Sequence, residues 1–295
     1  MKPGQGIVPP YLLGLYEKSM PGTLSLRQKL GEAKNAGFDY LELSIDESDE
    51  KLARLGWKED ELVILRRDMA EKGIPIRSIC LSAHRRFPLG DPDPAVQRKS
   101  LAIMEEAIAL AARLGARIIQ IAGYDVYYKP PDEHSRTAFA DNLELCAAMA
   151  AREGVILAFE TMETPFMDTV EKAVYWVRRF PSPYLQVYPD IGNITNAALL
   201  YGSPVSADLE QGAGHIAALH LKETRPGVYR EVPYGTGHVD FTEAAATALR
   251  LGVRLFVGEF WYTGAENWRE TLGENNRFLR KALDAGLSAL NHIFL

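Results

Sequence analysis

Four residues stand out by type and by place: Glu160, Asp190, His220 and Glu259. Each ends a short apolar run, at Val155–Glu160, Leu185–Asp190, Ile216–His220 and Leu255–Glu259. Short apolar runs bounded by turn signals predict strands buried on both faces. A carboxylate or imidazole at the exit of such a strand is badly placed for a core and well placed for an open end. Carboxylates with one imidazole are the donors that hold Mn²⁺, Mg²⁺, Co²⁺ or Zn²⁺, and the donor set alone does not choose among them. Such a cation, bound by a ketose carbonyl and the neighbouring hydroxyl, makes the proton on the carbon between them acidic. Glu160 and Glu259 lie on different strands. Each can serve as both ligand and acid/base, one removing the proton and the other returning it on the opposite face.

Positioning four such side chains takes a repeated unit. Further strands are predicted at Tyr11–Tyr16, Phe38–Ile45, Pro75–Ser82 and Arg117–Ala122. Helices are predicted from Thr23, as cap, to Ala36, over Glu59–Lys72, from Pro92 or Pro94 to Leu114, and over Asp132–Glu153. Others run from Asp168, as cap, to Phe180, over Ser206–Gly214, from Asp240 to Leu251 and over Trp268–Ala285. Glycines stand where helices should stop, at Gly37, Gly73, Gly115 and Gly154. Eight strands alternating with helices predict an α/β fold, the (β/α)8 TIM barrel. The whole chain, residues 1–295, reads as one domain with an N-terminal extension at 1–10 and a C-terminal tail at 286–295. An open doubly wound sheet would want a glycine-rich dinucleotide loop after its first strand, and Gly14–Lys18 is not one. In a barrel of this kind active sites gather at the C-terminal ends of the strands, where all four residues fall.

The totals narrow the partners. A formal net charge of -6 argues against a nucleic-acid or anionic-membrane surface. No apolar run is long enough to span a bilayer, and Met1–Pro10 lacks the apolar core of a signal peptide. Cys80 and Cys146 have neither disulfide nor metal spacing, read as buried thiols, and fit a cytoplasmic setting. The apolar tail Ser288–Leu295 suits docking on a second subunit, an expectation of a homo-oligomer.

Several longer stretches carry a resemblance: Gly14–Lys18, Cys80–Gly90, Ile119–Tyr128, Glu160–Met167, Tyr188–Asn193 and His220–Thr224. Over about residues 11–285 the chain resembles the L-ribulose-5-phosphate 3-epimerases, also called L-xylulose-5-phosphate 3-epimerases, of the xylose-isomerase-like barrel superfamily. The resemblance implies a metal-dependent enzyme that interconverts L-ribulose 5-phosphate and L-xylulose 5-phosphate by removing and returning the C3 proton through an enediolate. It implies one divalent ion on Glu160, Asp190, His220 and Glu259, with Mn²⁺ expected and Mg²⁺, Co²⁺ or Zn²⁺ as alternatives, and Glu160 and Glu259 as the acid/base pair. Free-sugar epimerases tend to carry histidine three residues past the metal aspartate. Here that position is Asn193, which can hydrogen-bond a hydroxyl but cannot titrate near neutral pH.

A sugar phosphate also needs a cationic or amide-rich pocket. Lys18, His84, Arg85, Lys222 and Arg225 follow strands one, three and seven and are the candidates, with Tyr124 as a wall of the sugar site. Glu42 lies within the second strand and can face the barrel interior, and Glu163 and Glu223 can orient ligands. The alternatives are an epimerase of a free ketose, a metal-dependent aldose–ketose isomerase that uses Lys222, and a sugar-phosphate binding protein without turnover. A DNA-repair nuclease would want more than six histidines and a basic groove.

Overall fold

The computed structural model describes residues 9–291. Residues 1–8 and 292–295, most of the expected extension and the end of the tail, lie outside the described residues. The eight strands are β1 (Leu12–Tyr16), β2 (Tyr40–Ile45), β3 (Ile76–Leu81), β4 (Ile118–Ala122), β5 (Ile156–Glu160), β6 (Leu185–Tyr188), β7 (Leu219–Leu221) and β8 (Leu255–Gly258). All the ladders are parallel, in the order β6-β5-β4-β3-β2-β1-β8-β7. Among the described residues only the β6–β7 seam lacks a ladder. Two single bridges, Val187 to Ile216 and Asp190 to His220, close it into a nearly complete barrel.

Alternation along each strand divides the interior in two. On β2, Leu41, Leu43 and Ile45 point outward into the layer shared with the helices. Tyr40 points inward and packs with Tyr16, Cys80, Ala158, Tyr188 and Val257 in a second apolar cluster. A Cβ on Gly14 would lie 2.4 Å from the Tyr40 ring, so only glycine lets that ring fill the barrel. The Tyr40 hydroxyl donates to the Phe256 carbonyl at 2.9 Å. The floor beneath the strand exits is therefore packed solid, and chemistry is confined to the C-terminal rim.

Glu59–Lys72 and Pro94–Leu114 form the predicted helices, and Asp132 caps Glu133–Glu153. Two caps differ from expectation. Ser25, not Thr23, caps Leu26–Asn35 through a reciprocal pair with Gln28. Thr169, not Asp168, caps Val170–Arg179, and Asp168 instead takes the Lys172 ammonium and the Tyr201 hydroxyl. The final helix continues from Trp268 to Asn291, so the near half of the expected tail is helical. Among the described residues no helix is long and apolar enough to cross a membrane. Cys80 and Cys146 are both free and buried, as expected.

Candidate metal centre

Strand exits bring the four expected residues together. Glu160 is the last residue of β5, His220 the middle residue of β7, and Glu259 follows β8 directly. Asp190 lies two residues beyond β6, at the bridge that pairs it with His220. One donor atom from each falls within 4.8 Å of the others. His220 Nδ1 lies 3.2 Å from Glu160 Oε1 and 3.4 Å from Glu259 Oε2.

Local backbone chemistry places each carboxylate. Asp190 is the N-cap of helix Ile191–Tyr201: its Oδ1 accepts the Asn193 backbone N–H at 2.8 Å. That duty fixes the side chain and leaves Oδ2 turned to the centre. The Asp190 N–H donates to Thr161 Oγ1 at 3.0 Å, and the Glu259 N–H to the Leu221 carbonyl at 3.0 Å. Glu160 Oε2 accepts from Gln120 Nε2 on the neighbouring strand. On the far side of the ring, His220 Nε2 lies 2.7 Å from Glu42 Oε1.

The residues fit a divalent ion. Asp190 Oδ2 and Glu259 Oε2 are buried without a directed hydrogen bond, although Lys222 Nζ lies 2.9 Å and 3.7 Å from them. Burial, with Glu259 adding to it against Lys222, pushes the Asp190 carboxyl up to about 7. Burial would raise Glu259 too, but Lys222 and His220 hold its carboxyl below the usual range. Burial disfavours charge on His220, yet Glu42 and Glu259 outweigh it and raise the imidazole well above its ordinary value. A pocket that draws cationic character onto its own histidine is short of positive charge, which a metal ion would supply. Oxygen donors and one imidazole suit Mn²⁺ or Mg²⁺.

The profile of the xylose isomerase-like TIM barrel family matches residues 30–282. The chain belongs to that family. It is 43% identical over 256 residues to the L-ribulose-5-phosphate 3-epimerase UlaE of Salmonella paratyphi C (strain RKS4594), covering 86% of this chain and 89% of that protein. A solved structure of L-ribulose 3-epimerase superposes with a TM-score of 0.74 at 18% identity, over 96% of this chain and 98% of the other. A xylose isomerase-like TIM barrel protein from Mycobacterium smegmatis in complex with magnesium superposes with a TM-score of 0.67 at 17% identity, over 93% and 97%. The protein is thus an enzyme of the isomerase class.

A small cavity at the barrel mouth opens over the centre, and Glu160 and Glu259 are among the residues that line it. Of the expected substrate residues, Lys18, Arg85, Asn193 and Lys222 line it. Asn193 Nδ2 donates to the Thr161 carbonyl at 2.7 Å, and its buried Oδ1 remains without a partner. Lys18 is paired with Asp46. Three other expected residues, His84, Arg225 and Tyr124, do not line the cavity. The one-turn helix Ser82–Arg85 buries His84 away from the mouth, where its Nε2 meets the Ser100 carbonyl at 3.2 Å. Arg225 is exposed and folded back on Thr236. Tyr124 is buried behind the cavity wall against Tyr127.

Other lining residues were not expected. Tyr229 and Arg230 come from the long loop after β7, Trp261 from the segment after β8, and Tyr16 and Ser82 from the ends of β1 and β3. Position just past a strand end was the available signal for Tyr16, Ser82 and Trp261. Tyr229 and Arg230 had none, because the loop path depends on Glu223. That carboxylate accepts the N–H groups of Thr224, Gly235 and Val239 and so folds the loop without reaching the centre.

Proposed function

We propose that the enzyme interconverts L-ribulose 5-phosphate and L-xylulose 5-phosphate by inverting C3, with a divalent metal held by Glu160, Asp190, His220 and Glu259. One observation carries the reading. Asp190 and His220 are fully buried below the cavity, whereas Glu160 and Glu259, 7% and 6% exposed, are the two of the four that reach it. Two ligands thus serve only to hold the ion, and two can also meet a sugar carbon.

When bound, the metal polarises the ketose carbonyl and makes the C3 proton acidic. One glutamate, ionised, takes that proton with a carboxylate oxygen, and the other, entering the cycle protonated, gives its own proton to the opposite face. Gln120 steadies Glu160, and the Asn193 amide oxygen is free to accept a sugar hydroxyl. Trp261 and Tyr16, packed edge to face at 6.2 Å, wall the cavity against water. The relative at 43% identity supports the choice of sugar and of its phosphate ester. A cytoplasmic setting, read from the unpaired cysteines, goes with a phosphorylated substrate. The test is to incubate metal-reconstituted protein with either pentulose 5-phosphate in deuterated water. The C3 epimer with deuterium at C3 is expected. Label at C1 or C2, or epimerisation of the free ketose alone, would overturn the reading.

A further inference from the structure

Glu42 neither lines the cavity nor contributes a metal ligand, yet it is fully buried inside the barrel on β2. Its two oxygens have separate partners. Oε1 lies 2.7 Å from His220 Nε2, and Oε2 accepts from Ser78 Oγ at 2.7 Å and from the Tyr188 hydroxyl at 3.0 Å. With Oε2 taken up by two donors, Oε1 is the acceptor that faces the ring, which places a hydrogen on His220 Nε2. Once a metal ion takes the place of the second ring proton that the metal-free centre favours, Nδ1, which faces Glu160 and Glu259, is the nitrogen that would give its lone pair. The Tyr188 ring packs beside the imidazole at 4.7 Å and fixes its plane.

We propose that Glu42 is a positioning residue that sets the tautomer of His220 so that Nδ1 binds the metal, and that Ser78 and Tyr188 in turn set which way Glu42 points. This rests on the metal reading of the centre. A carboxylate that merely fills space would need no such chain of donors. The chain begins at two hydroxyls on β3 and β6, passes through Glu42 on β2 and ends at His220 on β7, so four strands settle the position of one hydrogen.

The amide of Glu42→Gln separates this role from bulk and packing, since it has one donor end and one acceptor end. If Ser78 and Tyr188 keep donating, the amide oxygen must face them and the NH₂ must face His220 Nε2. The ring hydrogen is then forced onto Nδ1, which can no longer bind a cation. Titration with Mn²⁺ should show the dissociation constant of Glu42→Gln weakened about 10- to 100-fold. Loss of charge alone would also weaken binding, so a second variant decides. Glu42→Gln combined with Ser78→Ala and Tyr188→Phe restores no charge but frees the amide to turn. It should recover about fivefold or more of the lost affinity. Binding by Glu42→Gln within about threefold of wild type, or a combined variant no better than Glu42→Gln, would overturn the proposal. A direct reading needs no variant. In Mg²⁺-loaded wild-type protein labelled with ¹⁵N-histidine, His220 should show a protonated Nε2 and an unprotonated Nδ1, and the reverse would overturn it. A wild-type protein that binds no Mn²⁺ sinks the metal reading and this one together. Wild-type binding left untouched in Glu42→Gln sinks this one alone.

Discussion

The ammonium of Lys222 stands 2.9 Å from Asp190 Oδ2, one of two buried carboxylate oxygens at the centre that no directed hydrogen bond satisfies. The other, Glu259 Oε2, lies 3.7 Å from the same nitrogen. Burial would strip Lys222 of its charge, but Asp190 and Glu259 more than offset that and raise its pKa. Lys222 therefore neutralises the same oxygens that a divalent ion would use.

Removing that ammonium should have opposite effects on the empty and the loaded protein. A unit charge pair at about 4 Å is worth about 4 kcal/mol at an effective dielectric of 20, so relief of even part of the repulsion should tighten Mn²⁺ binding about tenfold or more in Lys222→Met. The metal-free variant should lose about 3–5 kcal/mol, because buried carboxylates are left uncompensated. Mn²⁺ titration above the Asp190 value of about 7, and thermal unfolding in chelator, measure the two effects. Weaker metal binding in Lys222→Met would show that the ammonium assists the site and does not compete for it.

Glu160→Gln and Glu259→Gln should each fold normally and lose turnover. A positioned acid or base contributes about 10²- to 10⁴-fold, so kcat should fall by at least that range at saturating metal. Circular dichroism checks the fold, and C3 exchange in deuterated water checks the chemistry. Near-native turnover in either variant would contradict a relay from two sides.

Strand exits were legible in the sequence because a run such as Val155–Glu160 changes abruptly from apolar to charged, and a parallel sheet buried on both faces permits that only at its ends. The helix at Ile191–Tyr201 was not legible. Gly192 and the β-branched Ile194 and Thr195 are poor helix formers, and the cap, Asp190, reads first as a metal ligand. Its geometry suits both, with Oδ1 on the Asn193 N–H and Oδ2 turned to the centre. His84 misled for a related reason. It lies close behind a buried strand, but the single turn Ser82–Arg85 sends Arg85 to the mouth and His84 into the packing.

Arg85 should decide between phosphorylated and free sugars. It lines the mouth with its guanidinium over the Tyr127 ring at 4.7 Å, and its buried Nε has no partner. A charged hydrogen bond is worth about 1.5–3 kcal/mol, so Arg85→Gln should lower kcat/KM for a pentulose 5-phosphate about 10- to 100-fold. The unphosphorylated pentulose should be affected far less. Parallel loss on both substrates in steady-state assays would show that Arg85 holds the fold of the mouth and not the phosphate.

His84 should mark the acid limit of stability. Burial holds its imidazole down at about 4, against an ordinary value of 6.5, while Nε2–H donates to the Ser100 carbonyl. Above pH 6.5 the folded and unfolded forms are both neutral and the full stability is present. As pH falls below that value the unfolded chain takes up a proton that the folded chain refuses, so stability declines until about pH 4 and then levels off. The drop from 6.5 to about 4 corresponds to about 3 kcal/mol. His84→Gln can still donate to Ser100 but does not titrate, so its stability should fall less steeply across this window, while kcat at neutral pH stays near wild type. Urea unfolding of both proteins at matched metal concentration, near neutral pH and again near pH 4.5, supplies the comparison. Equal losses in the two proteins would mean that His84 is protonated in the fold and that its burial is not what limits stability in acid.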